Sequence, residues 1–434
     1  MKKNLLFILL LISVLHSYAA AYLPVAFVAT TGNDKLARIN SSLHPFLTID
    51  AALDAIGLDS GIISIGPGHF KSPQRRKISS NTYFIGSGQP VVNSASSVDA
   101  MGLLATSSPT ALETGTILNG MFWIPWNVSN ISIRDLGVDV GLDWCRKYND
   151  DKPSEALLFA QDISAGTSAD RVHRLQDSLR TGIIVENVTT LCRDAAAPVH
   201  GIVFENCLDP YVNNIKTYFG FAGLVIKTVG GFYSNIEANG HSVHGIVLKD
   251  NDYSHCRDVS ISNFTIRSIG DFDGDGFSIS SGADPGSGNV VDCRISNGSV
   301  YRVKEGFHTM GPGIPSGIRV TNIKSAENSG DGFNCTLAGS SLSSFMSLKN
   351  AGAGVSFVNA ATGRSELLNV SAINNVGNGI NLIAGYPGTI NFLNILSFYN
   401  KAFGLKAEGP QIKGIGADIR LNGNNNVDSM ILKR

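Results

Sequence analysis

Carboxylate and imidazole side chains occupy equivalent places in several short segments of the chain. His244, Asp275 and Glu305 each stand directly before a glycine, and His308 lies three residues after Glu305. Histidine changes its charge near neutral pH, and a carboxylate can orient an imidazole or exchange protons itself. If these segments lie side by side in the fold, their side chains form one acid–base site. These four residues are therefore candidate catalytic residues.

Further charged side chains keep the same spacing to a glycine. His200 and Asp331 each precede one, and Lys227 and Lys249 each follow one by four residues. Arg257 comes shortly after Lys249 in a polar segment. Cations at such places suit the carboxylates of an acidic substrate. We expect these five residues to bind substrate.

The acidic segments also have alternative interpretations. An Asp-Gly pair is an ordinary turn, and a carboxylate before a glycine often bonds only to its own turn. In "DFDGDGF", Asp271, Asp273 and Asp275 alternate with other residues, as at the start of a calcium loop, but the closing glutamate is missing. A calcium site completed by loop oxygens remains a hypothesis for these three residues.

The glycines belong to a repeat that would align these side chains. Glycine followed by apolar, any and apolar residues recurs at 182, 201, 223, 245, 276, 306, 332, 354, 379 and 404, and the differences between these positions are 19, 22, 22, 31, 30, 26, 22, 25 and 25. A second mark, asparagine before a short alternating run, recurs in phase at 214, 235, 263, 322, 369 and 394. Such a period is typical of a solenoid.

Alternation with period two predicts short strands rather than helices in each repeat. Strands stacked about 4.8 Å apart in consecutive repeats would form a parallel β-helix, with the asparagines stacked at a corner. Residues one and three after each glycine should then point inward, and those one before, two after and four after should point outward. This places His200 and His244 on one outer face, two turns apart. Asp275, Glu305 and Asp331 follow on the next three turns.

The N-terminal region predicts a cap for such a coil. "FVATTGNDKLARINSSLHPFLTIDAALDAIG" reads as a strand, a loop and an amphipathic helix from about Thr48, and "GIISIGPGHF" follows. Together with the repeats, this passage resembles the pectate-lyase-like superfamily of right-handed parallel β-helices. The resemblance implies an all-β fold, a right-handed single-stranded parallel β-helix with an N-terminal capping helix. We expect the cap at 22–60 and the β-helix at 61–434, with a long insertion near 141–180.

Composition and the first residues indicate an exported protein. Two lysines, the apolar run "LLFILLLISVL" and small residues near position 20 predict a signal peptide at 1–21, and hence a secreted or periplasmic protein. No later segment is apolar enough to span a membrane. The formal charge of −1 gives no electrostatic basis for binding nucleic acid. The six cysteines contain no Cys-x-x-Cys and predict no zinc site.

The superfamily includes lyases, hydrolases, epimerases and non-catalytic adhesins, so the resemblance implies a carbohydrate partner without fixing the reaction. We expect cleavage of a polysaccharide that contains uronic acid, by β-elimination. In that interpretation His244 is the base, Lys249 and Arg257 neutralise the uronate, and the aspartates hold calcium.

Two alternatives stay open. A glycoside hydrolase could use paired carboxylates of the same face, and "GDGFSISSG" and "EGFHTMGPG" are faintly similar to polygalacturonase-type rungs, although that family's Asn-Thr-Asp and Arg-Ile-Lys motifs are missing. A non-catalytic adhesin or glycan-binding protein would instead present a flat face of Asn, Ser and Thr. The longest repeats, with loops such as "SSGADPGSGN" and "MGPGIPSG", flank the candidate catalytic residues, which favours a groove and an enzyme.

Overall fold

The structure is a computed structural model that describes residues 23–57, 60–73, 77–94, 109–125, 128–141, 154–159, 179–192, 199–250, 255–268, 274–282, 288–359, 363–385, 387–409 and 412–423. The predicted signal peptide lies outside these residues, as do Asp271 and Asp273 of the predicted calcium site. No described helix is long and apolar enough to cross a membrane.

One amphipathic helix, α1 (Ile49–Ile56), covers the start of the coil. It begins at Thr48, whose side chain accepts a hydrogen bond from the Ala51 amide at 3.2 Å, and it ends at Gly57 with φ 75°. Its buried side chains are Ile49, Ala52 and Leu53, and it packs against the first two strands. Burying this apolar face covers the hydrophobic end of the coil, which would otherwise be open to water.

The strands form two long parallel sheets between which the chain alternates. Among the described residues the first sheet has sixteen strands and the second has eleven, and from residue 184 onward each strand pairs with its equivalent one turn later. A short antiparallel pair, β5 (Val91–Ser94) and β6 (Pro109–Glu113), stands apart.

The first sheet contains β1 (Val25–Val28), β2 (Gly61–Ile65), β3 (Gly68–Lys71), β4 (Thr82–Ile85), β7 (Thr116–Asn119), β9 (Ser132–Val140), β11 (Ile184–Cys192), β13 (Tyr211–Tyr218), β15 (Phe232–Asn239), β17 (Ser260–Arg267), β19 (Arg294–Tyr301), β21 (Arg319–Ala326), β23 (Ser341–Leu348), β25 (Arg364–Ile373), β27 (Thr389–Phe398) and β29 (Ile412–Arg420). The second contains β8 (Phe122–Ile124), β10 (Ser154–Phe159), β12 (Val199–Leu208), β14 (Ala222–Val229), β16 (His244–Lys249), β18 (Asp275–Ser280), β20 (Phe307–Met310), β22 (Phe333–Leu337), β24 (Val355–Asn359), β26 (Ile380–Ala384) and β28 (Leu405–Glu408). The predicted parallel β-helix with a capping helix is confirmed.

The recurring glycines lie above one another, as their spacing predicts. A Cβ atom added at Gly276 would lie 2.7 Å from the carbonyl oxygen of Gly306, and one at Gly306 would lie 2.3 Å from that of Gly332. The same holds at Gly354, where an added Cβ would meet the carbonyl oxygen of Gly379 at 2.5 Å. The repeat requires glycine because neighbouring turns approach too closely for a side chain.

The predicted asparagine corner is also present, in left-handed backbone geometry. Asn322 and Asn394 have φ values of 55° and 56°. Each amide nitrogen donates to the asparagine one turn before it, at 2.8 Å to Asn297 and 3.1 Å to Asn369. Asparagine tolerates this geometry better than most residues, which explains its recurrence at the bend.

A second asparagine stack lies inside the coil and was not predicted. Its members are Asn328, Asn350, Asn375, Asn400 and Asn422, and the amide-to-carbonyl distances along the stack are 2.9, 2.9, 2.9 and 3.0 Å. The first four side chains are at most 2% exposed. The side-chain oxygens of Asn350, Asn375 and Asn400 also accept hydrogen bonds from backbone amides of the turn before. The stack therefore satisfies polar groups that water cannot reach.

Apolar side chains fill the space between the sheets. Ile202, Phe204, Phe277 and Ile279, one and three residues after their glycines, are at most 1% exposed, as the inward assignment predicts. Aromatic rings stack from turn to turn, with centroids 5.1 Å apart between Phe277 and Phe307. This core holds the second sheet rigid beneath its outer face.

Within the predicted insertion at 141–180, the strand β10 pairs in parallel with β8 and β12 and so belongs to the second sheet. The rest of that span lies largely outside the described residues, and the insertion stays a prediction.

Cys207, Cys256, Cys293 and Cys335 are buried and form no disulfide.

Candidate functional site

The strand register brings the candidate residues into one row on the outer face of the second sheet. His200, Ala222, His244 and Asp275 are paired in order across β12, β14, β16 and β18. The row continues through hydrogen bonds from the Gly276 amide to the Glu305 carbonyl (2.7 Å) and from the Gly306 amide to the Asp331 carbonyl (2.9 Å). His308 pairs with Ser278 one column away. The predicted alignment of these side chains is present in the structure.

Asp275 lies between two imidazoles. Its Oδ2 atom is 3.2 Å from Nδ1 of His308 and 3.7 Å from Nδ1 of His244. The side chains of Asp275 and His244 are 11% and 10% exposed, whereas that of His308 is 35% exposed. His308 is therefore the member of this group that a molecule on the surface can reach most readily.

The contact with Asp275 raises the pKa of His308 above its usual value. The hydrogen bond to the carboxylate is the main cause, and burial of the ring partly opposes it. The charges of Asp275 and Glu305 raise this pKa further, while that of Lys304 lowers it. Since an ionised carboxylate only accepts, Nδ1 of His308 donates the proton of this bond, and Nε2 is left to exchange a proton.

The pKa of His244 is shifted in the opposite direction to that of His308. Its Nδ1 is 2.9 Å from the hydroxyl of Ser278, which is fully buried. Burial lowers the pKa of His244 to about 4, although the charge of Asp275 raises it in part. At neutral pH His244 is uncharged, so the two imidazoles that share Asp275 have pKa values shifted apart. Such separation is typical of acid–base sites.

Glu305 and Asp331 are bound to the backbone of the next turn. Oε2 of Glu305 accepts from the Asp331 amide at 2.9 Å, and Oδ1 of Asp331 accepts from the Ala353 amide at 2.5 Å. Burial raises the pKa of both carboxyl groups, and these hydrogen bonds oppose the rise. The sequence suggested that such a carboxylate bonds only to its own turn, but in both residues the bond is made to an amide of the next turn of the coil. No described backbone amide caps Asp275 in this way.

The basic residues do not all reach this site. Lys227 forms an ion pair with Glu205 on the neighbouring strand, and Lys249 lies at the end of β16, paired with Ser280. Arg257 is exposed on an isolated bridge between Val229 and Val291, outside the glycine strands. Lys304, which the sequence analysis did not select, is exposed beside Glu305 and close enough to His308 to affect its pKa.

Apolar residues border the site on the side of the earlier turns. Val203, Ala222, Val225 and Val247 form a buried cluster on the outer face, separate from the main core, with Trp123 and Phe221 packed against it. His200 lies beside this cluster, and burial lowers its pKa to about 3.

The described residues contain no cluster of three or more His, Cys, Asp or Glu side chains arranged to hold a metal ion. Asp250, which is 1% exposed, accepts hydrogen bonds from the backbone amides of Cys256 and Gly288 at 3.1 and 2.7 Å. The calcium hypothesis depends on Asp271 and Asp273, which are not among the described residues, and it stays a prediction.

Comparison with known proteins gives structural neighbours only. No protein-family model matches the chain, and no curated protein matches it in sequence. The catalytic domain of a GH87 α-1,3-glucanase in complex with nigerose is 14% identical, with a TM-score of 0.51 over 87% of this chain and 67% of that chain. A variant of that domain in complex with tetrasaccharides gives 0.52 at the same identity and coverage.

A third neighbour is the A-module of the mannuronan C-5 epimerase AlgE6 of Azotobacter vinelandii, which is 14% identical, with a TM-score of 0.47 over 87% of this chain and 93% of that chain. The glucanase domains are parallel β-helix proteins, in agreement with the fold described above. At this identity the likeness to the glucanase shows a shared fold.

Proposed function

We propose that this chain is an exported carbohydrate-active enzyme that cleaves a uronic-acid-containing polysaccharide by β-elimination. The observation that carries the proposal is the Asp275 carboxylate held between the imidazoles of His308 and His244 on the outer face of the second sheet. A carboxylate, an accessible imidazole and a neutral buried imidazole within 4 Å form a unit suited to proton transfer.

His308 is the group proposed to exchange protons with the substrate. Asp275 accepts from its Nδ1 and fixes the ring, and its 35% exposure leaves it accessible. The sequence predicts His244 as the base, but its burial and its lowered pKa make it a poor base, and in this proposal it packs against Asp275 from the opposite side at 3.7 Å. In this proposal Asp275 and His244 are positioning residues.

Elimination requires a proton, an electron pair and a leaving group to be accounted for. The imidazole removes the proton from the carbon beside the uronate carboxylate, the electron pair forms a carbon–carbon double bond, and the glycosidic C–O bond breaks. The departing oxygen then takes up a proton, from the imidazolium or from water. Lys304, exposed and close enough to His308 to affect its pKa, would neutralise the uronate and so acidify that proton.

Hydrolysis is the second candidate, and the raised pKa of Glu305 is the observation that favours it. A carboxyl group with a raised pKa can protonate a leaving oxygen, and Asp275 or Asp331 would be its partner. The structural neighbours named for α-1,3-glucanase activity share the fold, which supports a sugar substrate for either reaction. Elimination is preferred because the Glu305 carboxylate is already bound to the Asp331 amide.

The test is incubation of the purified protein with a panel of acidic and neutral polysaccharides. Elimination yields unsaturated products that absorb ultraviolet light, and hydrolysis yields new reducing ends without that absorbance. We expect ultraviolet-absorbing products from a uronic-acid polysaccharide and a loss of roughly 10²- to 10⁴-fold in rate for His308→Asn.

His44→Asn is the matched control, since His44 is exposed in the N-terminal cap and its Nδ1 contacts only Ser41 among the described residues. Wild-type rates in that control are expected. Reducing ends without absorbance would establish hydrolysis instead, and no product from any polysaccharide would refute enzymatic cleavage. Retained activity in a chelator would count against the predicted role for calcium.

A further inference from the structure

An aromatic ring lies beside the proposed reaction centre, on the turn before His244. Phe221 precedes Ala222, and Ala222 is the direct strand partner of His244. The ring centroid of Phe221 is 6.3 Å from that of His244 and 5.4 Å from that of His200, with an interplanar angle of 86° in both pairs. Both imidazoles are therefore roughly perpendicular to the phenyl ring, and neither is stacked flat on it.

Burial shows that this ring belongs to the outer surface rather than to the core. Phe221 is partly exposed and packs against the outer cluster of Val203, Ala222, Val225 and Val247, which is separate from the main core. A partly exposed aromatic ring on a rigid sheet is a flat apolar platform, preorganised by the packing beneath it.

We infer that Phe221 forms a sugar-binding subsite on which a pyranose ring of the substrate stacks, three turns of the coil before His308. The inference rests on the function proposed above. The apolar C–H face of a sugar matches an aromatic platform, while the hydroxyl groups at the edge of the sugar remain free for hydrogen bonds. His200, on the far side of Phe221, fixes the ring from the turn before.

The other side of the reaction centre is polar, which gives the binding track a direction. Asn334 and Ser356 follow His308 in the same column of strand pairs, on the next two turns. Amide and hydroxyl groups bind sugar hydroxyls. A polysaccharide lying along the coil axis would therefore contact Phe221 on one side of His308 and the amide and hydroxyl row on the other.

The experiment compares Phe221→Ala and Phe221→Tyr with wild type. Phe232→Ala is the control, because Phe232 is 65% exposed and lies on the first sheet. We expect Phe221→Ala to raise KM roughly three- to tenfold with kcat changed less than twofold. Phe221→Tyr keeps an aromatic ring and should keep the KM of wild type. Equal KM values for Phe221→Ala and Phe232→Ala would overturn the inference.

A binding measurement separates this inference from the proposed function. Soluble oligogalacturonates and alginate oligosaccharides are titrated into wild type, Phe221→Ala and Phe232→Ala, each carrying Asp275→Asn to prevent turnover. Weaker binding confined to the Phe221 variant supports the subsite even if no cleavage is ever detected. Binding that is unchanged in the Phe221 variant overturns the subsite while leaving cleavage at His308 intact, and absence of binding to every variant refutes both.

Discussion

The buried asparagine stack gives the sharpest stability prediction, at Asn350. Its Oδ1 accepts from the backbone amide of Asn328 at 3.1 Å and from the side-chain amide of Asn328 at 2.9 Å. Its Nδ2 donates to Ser347 Oγ at 2.7 Å and to Asn375 Oδ1 at 2.9 Å. Asn350 is 0% exposed, so water cannot replace these partners.

Asn350→Ala should destabilise the fold by about 4 kcal/mol. About 2 kcal/mol comes from leaving the buried Asn328 backbone amide without an acceptor, and about 2 kcal/mol in total from the three further hydrogen bonds lost. The measurement is chemical denaturation, combined with hydrogen exchange at the Asn328 amide, which should exchange faster in the variant.

Asn381→Ala is the matched control, because this partly buried side chain makes a single hydrogen bond to Ser356, at 3.4 Å, within the described residues. Its effect should stay below about 1 kcal/mol. A similarly small loss in Asn350→Ala, with unchanged exchange at Asn328, would refute the stack as a source of stability.

Three further predictions follow from the same structure. Burial lowers the pKa of His241 from 6.5 to about 4, so its contribution to stability is present above pH 6.5 and is lost as the pH falls toward 4. Between pH 7 and pH 4 the free energy of unfolding should therefore fall by about 3 kcal/mol less in His241→Gln than in wild type, as measured by denaturation. Gly354→Ala should cost about 2 kcal/mol because its Cβ would meet the Gly379 carbonyl oxygen at 2.5 Å. Gly141→Ala, whose Cβ would have no atom of the described residues within 4 Å, should be neutral by thermal unfolding. Glu305→Gln keeps an acceptor for the Asp331 amide and should retain activity within about tenfold, while a loss comparable to that of a general acid would favour hydrolysis.

Most of the fold could be predicted because close approach between turns restricts the residue type. A glycine is needed wherever a Cβ would meet the next turn's backbone, as at Gly276 and Gly306. Asparagine recurs on most turns at the corner with left-handed geometry, and Asp135 and Ser344 take its place on two of them. These constraints repeat once per turn, and so they also place His244, Asp275 and Glu305 in one row before any coordinates are known.

The finer chemistry of the site could not be predicted from the repeat. The repeat places Asp275, Glu305 and Asp331 at equivalent positions. Only the structure shows that the carboxylates of Glu305 and Asp331 bind backbone amides, while that of Asp275 faces two imidazoles. Ser278 and Lys304 were missed because a serine or a lysine on a surface strand is common and carries no distinguishing spacing. The partners of such side chains depend on rotamers, which the sequence pattern does not encode.

The unit formed by Asp275 and His308 can be tested most directly by titrating His308. NMR of the imidazole nitrogens in wild type and in Asp275→Asn measures the pKa of His308 in each protein. Because the hydrogen bond to Asp275 and its charge raise this pKa, the variant should titrate at lower pH, and the pH–rate profile of cleavage should shift in the same direction. An unchanged pKa of His308 would show that the two side chains do not interact, and the proposed acid–base site would be refuted.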